Sequence, residues 1–191
     1  MEEFHMIARG INSPGVRAML KRGGIGIVPT DTILGLVGVA RRRSTVERIY
    51  RVRRRNPKKP LIVLIARIED LRRFGVRITP RMRETLNRVW PGPVSVVLPC
   101  RSKKLSYLHR GTRAIAFRLP DHKTLAMLLR SVGPLVAPSA NPEGLPPAKN
   151  LREARAYFGK NVDFYVSASS RRKKASSVIR IKGVRPMVIR K

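Results

Sequence analysis

Short, largely apolar runs alternate along this chain with amphipathic segments that begin at helix-capping residues. Ile25–Val28, Leu61–Ile65 and Val94–Leu98 are such runs, and their length and composition are typical of buried strands. Ser13–Pro14 and Thr79–Pro80 place a capping side chain and a proline where a helix begins. The alternation predicts an α/β fold, in which helices flank a central, twisted mixed sheet.

The remaining elements follow from the same signals. The sequence Ser44–Glu47 reads as a capping box that begins a second helix, and residues 99–112 read as a basic loop. Because no Pro/Gly/Ser-rich linker divides the chain, we expect one domain over residues 1–191. Asp121 and Asn150 are expected to cap two further helices, and further strands are expected at Ala114–Leu119, Val162–Val166, Ser177–Ile181 and Met187–Arg190.

Two hydroxyl-rich turns share the same chemistry. Pro29–Thr32 follows Ile25–Val28, and Pro138–Asn141 follows a second apolar run. Loops at the strand ends of α/β sheets are where ligands usually bind, and hydroxyl and amide groups hold phosphate or carboxylate oxygens. Either turn alone is also ordinary turn chemistry, since proline fixes φ and Asp or Thr bonds the nearby backbone. The pair, accompanied by the basic segment 53–59, favours an anion-binding site.

The charge balance indicates a polyanionic partner. The chain has 42 Lys and Arg against 11 Asp and Glu, a net charge of +31, which leaves too few acids for paired surface networks. Such an excess favours RNA or a phosphate-rich ligand. Aromatic residues are only 5% of the chain, so RNA binding would be mainly electrostatic rather than through base stacking.

The sequence lacks the residue patterns of a transition-metal site, a signal segment and a membrane span. Cys100 is the only cysteine, and His5, His109 and His122 have no metal-ligand spacing, so no protein-bound transition metal is expected. The start of the chain lacks a basic, apolar signal segment, and no run reaches the ~18 apolar residues of a membrane span. We therefore expect a cytoplasmic protein without a membrane partner.

Six motifs in a fixed order resemble the short, single-domain form of the YrdC-like threonylcarbamoyl-AMP synthases. The resemblance extends from about Ala18 to Arg190, and each motif alone is weakly specific. The motifs are Lys21–Gly24, Val28–Thr32, Pro60–Leu61 after a basic segment, Trp90–Pro93, Phe117–Pro120, and Pro138–Asn141 with Gly144.

This resemblance implies a concave α/β sheet whose positively charged groove binds ATP, L-threonine and bicarbonate. The ATP would bring Mg²⁺, and the products would be L-threonylcarbamoyl-AMP and pyrophosphate. A partner transferase, part of the t6A machinery, would then modify A37 of tRNA. The carbamate of threonine is already an anionic nucleophile, so attack on the α-phosphate needs positioning and cations more than a dedicated base.

The resemblance also assigns roles to the nucleotide side of the site. Arg53 stands where the family usually has lysine, and arginine binds phosphates bidentately. The alternative for this basic run is a solvated helix end. Arg55 and Ser139 are expected to act in catalysis together with Thr32. The residues assigned to ATP are Thr30, Arg53, Arg55, Ser139, Asn141, Ser177 and Arg190.

On the amino-acid side, the resemblance places Thr32 in the threonine pocket and Arg118 on the threonine carboxylate, with Asp31 bracing the loop. Leu34 and Leu64 occupy positions where the family usually has a tyrosine and often a histidine. An acidic turn of the family is also replaced, by Ser167–Ser170. Two alternatives therefore stay open, namely a relative with an altered amino-acid substrate and a non-catalytic RNA-binding protein on the same scaffold.

Overall fold

Backbone hydrogen bonds join ten strands in the described part of the chain into one mixed sheet. The computed structural model describes residues 6–167, 175–182 and 185–190, so most of the Ser167–Ser170 turn lies outside the described residues. The sheet order is β1-β8-β2-β3-β7-β4-β6-β5-β9-β10. The strands are β1 Met6–Ala8, β2 Gly26–Val28, β3 Gly35–Val39, β4 Ile62–Leu64, β5 Val94–Pro99, β6 Ala114–Arg118, β7 Leu135–Val136, β8 Phe164–Val166, β9 Ser177–Lys182 and β10 Arg185–Arg190.

Parallel and antiparallel pairs are mixed through the sheet. β8 lies parallel to both β1 and β2, and β4 lies parallel to β6, whereas β3 and β7 run antiparallel to their neighbours. The predicted α/β fold with a mixed sheet and flanking helices is confirmed. The helices are α1 Pro14–Arg22, α2 Arg43–Val52, α3 Pro80–Asn87, α4 Ser106–His109, α5 Lys123–Val132 and α6 Leu151–Phe158.

Three helices begin at the predicted capping side chains. Ser13 Oγ accepts from Val16 N at 3.4 Å, Thr79 Oγ1 accepts from Met82 N, and Asn150 caps α6 in the same way. Each cap accepts a backbone N–H that has no partner within the helix.

Two predicted caps are wrong. α2 begins at Arg43, one residue before the predicted box, because tertiary contacts hold its first turn: Thr45 Oγ1 donates to Gly23 O at 2.8 Å. α5 is capped by His122 rather than Asp121, since the extended His122 places Nδ1 3.3 Å from the N–H of Leu125.

Two segments differ from their predicted class. Residues 99–112 contain a short 3₁₀ turn and α4 rather than only loop, because Tyr107 and Leu108 are buried there. β3 was not expected, since two glycines interrupt its apolar pattern. One of them is required by packing: a Cβ on Gly38 would lie 2.5 Å from Thr45 Cγ2 of α2.

The sheet carries a separate apolar core on each face. Successive residues of one strand belong to different clusters, with Val63 in one and Leu64 in the other, as the alternation of side chains across a strand requires. The second cluster lies under α1 and α5, where Leu64 is grouped with Leu125 and Leu128. No helix in the described residues is both long and apolar enough to cross a membrane.

The burial of Leu64 predicts a large effect on stability. Leu64 is 0% exposed, so Leu64→Ala should lower the free energy of unfolding by about 2–5 kcal/mol, the range for buried leucines. Met127 on α5 is 52% exposed. Met127→Ala should therefore change the free energy of unfolding by less than about 0.5 kcal/mol. Denaturant unfolding measures both, and equal effects of the two substitutions would contradict this placement.

Candidate active site

A cavity of about 280 Å³ lies where the strand ends meet the two hydroxyl turns and the basic segment. The predicted hydroxyl turns therefore converge, as expected for loops at neighbouring strand ends, since β3 and β7 are paired and Gly35 bridges Ser139. The cavity is lined by eight residues that the sequence assigned to the site: Thr30, Thr32, Leu34, Arg53, Arg55, Arg118, Ser139 and Arg190.

A directed chain of hydrogen bonds organises the first turn. Thr30 Oγ1 donates to Ile33 O at 2.7 Å, so its single proton is used there and Thr30 Oγ1 accepts from Thr32 Oγ1 at 3.0 Å. Thr32 Oγ1 in turn accepts from Arg118 Nη1 at 2.8 Å. These bonds fix both threonine hydroxyls relative to the Arg118 guanidinium.

Arg118 places a buried positive charge beneath this turn. It is 3% exposed, and its Nη1 lies 3.3 Å from Asp31 Oδ1, so Asp31 contacts the site as the predicted brace. Burial lowers the pKa of Arg118, and the Asp31 carboxylate partly offsets that effect. Because arginine stays protonated even when its pKa falls, this corner of the cavity remains cationic at neutral pH.

Arg53 forms a second buried cationic centre in the same cavity. Its Nε donates to Asn141 O at 2.8 Å, and its Nη2 donates to Asn141 Oδ1 at 3.2 Å and to Ser139 Oγ at 3.4 Å. Burial, assisted by the positive charge of Arg55, lowers the pKa of Arg53 to about 10. Its Nη1 is buried and has no hydrogen-bond partner among the described residues, so the two N–H groups of Nη1 are not used by that part of the protein.

Asn141 supports Arg53 from behind and does not line the cavity. Its Nδ2 donates to Pro142 O and Leu145 O at 2.9 and 2.7 Å, which orients Oδ1 toward Arg53. Both ends of the Asn141 amide are therefore bonded within the protein, and its predicted contact with phosphate or adenylate oxygens stays a prediction.

Arg55 is held by its own loop at the edge of the cavity. Its Nε donates to Lys59 O and its Nη2 to Pro60 O, both at 3.2 Å. Tyr50 Oη donates to the same Lys59 carbonyl at 2.9 Å. The conformation of residues 55–60 therefore determines where the Arg55 guanidinium lies.

Glu143 clasps this loop to the second hydroxyl turn, and nothing in the sequence analysis indicated it. Its Oε1 lies 2.6 Å from Lys59 Nζ, and its Oε2 accepts from Asn56 N at 2.5 Å. Its backbone N–H donates to Arg53 O at 2.8 Å. We refer to these contacts as the Glu143 clasp, which joins the two loops that border the cavity.

Leu64 and Ser177 are corrected as site residues, because neither lines the cavity. Leu64 points into the core under α1 and α5, and Ile62 of the same strand lines the cavity instead. Side chains alternate along an extended segment, so Ser176 rather than its neighbour Ser177 reaches the cavity. Arg190 Nη2 donates to Ser176 O at 3.1 Å.

No group of three or more His, Cys, Asp or Glu side chains suited to hold a metal ion occurs within the described ranges of the chain. The polar side chains that line the cavity carry guanidinium and hydroxyl groups. These groups bind anions through hydrogen bonds and charge, so the arrangement is suited to phosphate and carboxylate oxygens.

The Glu143 clasp predicts a pH dependence. Hydrogen bonding from Lys59, then from Asn56 N, lowers the pKa of Glu143 to about 2. Because the folded pKa is below the ordinary value of about 4.3, the clasp is fully formed above that pH and is lost as pH falls toward 2. Carboxyl ¹³C NMR titration of Lys59→Ala should show the Glu143 pKa raised toward its ordinary value.

Lys58 provides the matched control for this titration. It is an exposed neighbour of the same charge, and only its backbone N–H takes part in a described hydrogen bond, to Asn56 Oδ1. Lys58→Ala should leave the pKa of Glu143 low. An unchanged pKa in Lys59→Ala would show that the clasp does not depend on this ion pair.

Comparison with known proteins shows which proteins this chain resembles in sequence and in fold. A threonylcarbamoyl-AMP synthase of Thiobacillus denitrificans is 33% identical over 167 residues, which cover 87% of this chain and 89% of the relative. The structure of P. abyssi Sua5 complexed with L-threonine is similar with a TM-score of 0.82 and 29% identity, covering 91% of this chain. This chain spans 52% of that Sua5 chain.

A second solved structure supports the fold. E. coli YciO has a TM-score of 0.82 at 20% identity, over 100% of this chain and 95% of that protein. The family model Sua5/YciO/YrdC, described as "Telomere recombination", matches residues 18–191. The chain therefore belongs to the Sua5/YciO/YrdC family.

Proposed function

We propose that this protein is an L-threonylcarbamoyladenylate synthase, a nucleotidyltransferase that uses ATP, L-threonine and bicarbonate. The observation that carries the proposal is that one cavity contains two buried guanidinium groups, Arg53 and Arg118, each held by hydroxyl or amide groups. Such a cavity accommodates two anionic groups, one phosphate and one carboxylate. The relatives named threonylcarbamoyl-AMP synthase use substrates that carry these groups.

The ATP phosphates are assigned to the Arg53 side of the cavity. Arg53 keeps Nη1 without a partner in the described chain, and Ser139 Oγ lies beside its Nη2. Arg55, at the cavity edge, adds a more accessible cation. Charge-assisted hydrogen bonds of this kind are stronger than neutral ones, and Mg²⁺ would enter with the nucleotide.

The threonine carboxylate is assigned to Arg118. Because Asp31 and Thr32 hold this guanidinium in place, it is preorganised to bind a carboxylate without moving. Leu34 lines the same cavity and is 8% exposed, so it offers an apolar surface rather than a hydroxyl to the amino-acid side chain.

The proposed reaction needs no dedicated base in the cavity. The neutral amine of threonine and bicarbonate form a carbamate with release of one water molecule, and a carbamate oxygen then attacks the α-phosphorus of ATP. The bond from this phosphorus to the β-phosphate oxygen breaks, and pyrophosphate leaves with its charge neutralised by cations. Arg53 and Arg55 would stabilise the charge that develops on the phosphoryl oxygens, while Ser139 and Thr32 orient the reacting groups.

The product is a mixed anhydride that serves a later acyl transfer. We propose that a cytoplasmic transferase of the t6A machinery consumes it on A37 of tRNA. The net charge of +31 supports contact with tRNA during this relay, because counterion release from the phosphate backbone favours binding.

The purified protein should release pyrophosphate when ATP, Mg²⁺, bicarbonate and L-threonine are all present. Mass spectrometry should detect threonylcarbamoyl-AMP in the same mixture, and omission of threonine or bicarbonate should abolish both signals. If ATP binds but no pyrophosphate forms with any amino acid tested, the synthase assignment is wrong and the scaffold is non-catalytic.

Arg55→Ala should weaken ATP binding by about 1.5–3 kcal/mol, the range for a hydrogen bond to a charged group. Isothermal titration calorimetry measures this change. Arg54→Ala is the matched control, because it removes the same charge from the adjacent position, which does not line the cavity. An equal loss of ATP affinity in the two variants would show that Arg55 acts only through the net positive charge of the protein.

A further inference from the structure

A second, larger concave surface lies outside the catalytic cavity. It is bordered by the C-terminal half of α2, the end of α6 and the turn at residues 142–145, and it encloses about 660 Å³. We refer to it as the α2–α6 groove. The side chains that define its chemistry are Arg48, Arg51, Arg54, Tyr157, Lys160 and Asn161, and no carboxylate residue is among the described residues that line it.

Three cations of this groove have no ion-pair partner in the part of the chain that the structure describes. Arg48 is paired with Asp163, with N–O distances of 2.7 and 2.9 Å, so its charge is offset. Arg51, Arg54 and Lys160 are exposed, and within residues 6–167, 175–182 and 185–190 no carboxylate forms an ion pair with any of them. A concave surface with unpaired charges of one sign concentrates a positive potential.

The backbone separates these cations from those of the catalytic cavity. Arg54 adopts a left-handed conformation with φ of +50°, which is uncommon for a residue other than glycine. Arg53 and Arg55 line the cavity, whereas Arg54 between them lines the groove. One short segment therefore supplies cations to two different sites.

The cavity and the groove differ in the size of the ligand that can reach their cations. In the cavity, Arg53 and Arg118 are each 3% exposed and already bonded to protein groups, so only a small anion that enters the cavity reaches them. In the groove, the cations are exposed and open to a polymer. The half-buried Tyr157 borders these cations.

We propose that the α2–α6 groove binds RNA through its phosphate backbone, and that RNA and ATP occupy the protein at the same time. The assignment of RNA to this groove is argued independently of the synthase function, whereas simultaneous occupancy by ATP rests on that function. Phosphate contacts position the polymer without reading its sequence, so the groove is assigned to RNA as a class.

The test is a triple substitution in the full chain, Arg51→Gln with Arg54→Gln and Lys160→Gln. The matched control is Arg101→Gln with Lys103→Gln and Lys104→Gln, which removes the same charge from exposed residues of another surface. The probe is a fluorescein-labelled, unmodified tRNA transcript. Polarisation measures its dissociation constant between ~50 and ~200 mM salt, the range over which phosphate contacts are evident.

The groove variant should bind this RNA more than about tenfold less tightly at the low end of that range, and the slope of log affinity against log salt should fall by about two to three. The control variant should keep the wild-type slope. Saturating ATP should leave the RNA affinity of the wild type unchanged, and the groove variant should still bind ATP and release pyrophosphate at the wild-type rate.

Three results would overturn the proposal. Equal losses in the two triple variants would show that the RNA contact is spread over the whole basic surface. Displacement of the RNA by ATP would place it in the catalytic cavity. Poly-glutamate and unlabelled RNA can be compared as competitors at equal concentrations of negative charge. If poly-glutamate displaces the labelled tRNA as well as the unlabelled RNA does, the groove binds an acidic protein instead.

Discussion

The guanidinium groups of Arg53 and Arg118 are both 3% exposed, and the candidate site depends on how the protein holds them. Burying a charge is costly unless hydrogen bonds and opposite charge compensate for it. Arg118 contacts Asp31 and Thr32, whereas Arg53 is held by neutral amide and hydroxyl groups. A cavity with two buried guanidinium groups and one contacting carboxylate retains positive charge, which anionic substrates neutralise.

This constraint explains the shape of the surrounding loops. Arg53 follows α2 directly and bonds to Asn141, so the end of that helix is joined to the second hydroxyl turn. The Glu143 clasp joins the same turn to the segment that positions Arg55. Loss of the Arg53–Asn141 bonds would leave buried polar groups without partners, so we expect the loops to respond as a unit.

Local signals predicted much of the fold. Ser13, Thr79 and Asn150 cap helices as expected, because a capping side chain acts on the backbone two or three residues away. Ser44 and Asp121 failed as caps, since contacts distant in sequence and a neighbouring imidazole replaced them. β3 was not predicted, because its glycines allow close packing but interrupt the apolar pattern that indicates a strand.

The site was predicted where its residues lie at strand ends and missed where it depends on long-range contacts. Thr30, Thr32 and Arg118 converge as expected from their turns and strand. Glu143 pairs with Lys59, 84 positions away, and no local pattern indicates such a pair. Leu64 was placed at the cavity by resemblance, but Ile62, two residues earlier on the same face of β4, lines the cavity instead.

A crystal structure of the protein with L-threonine and a non-hydrolysable ATP analogue tests the central claim most directly. We expect a phosphate oxygen within hydrogen-bond distance of Arg53 Nη1 and Ser139 Oγ, and the threonine carboxylate on Arg118. Nucleotide phosphates in the α2–α6 groove, or an Arg53 guanidinium with no anion on it in the occupied cavity, would contradict the account.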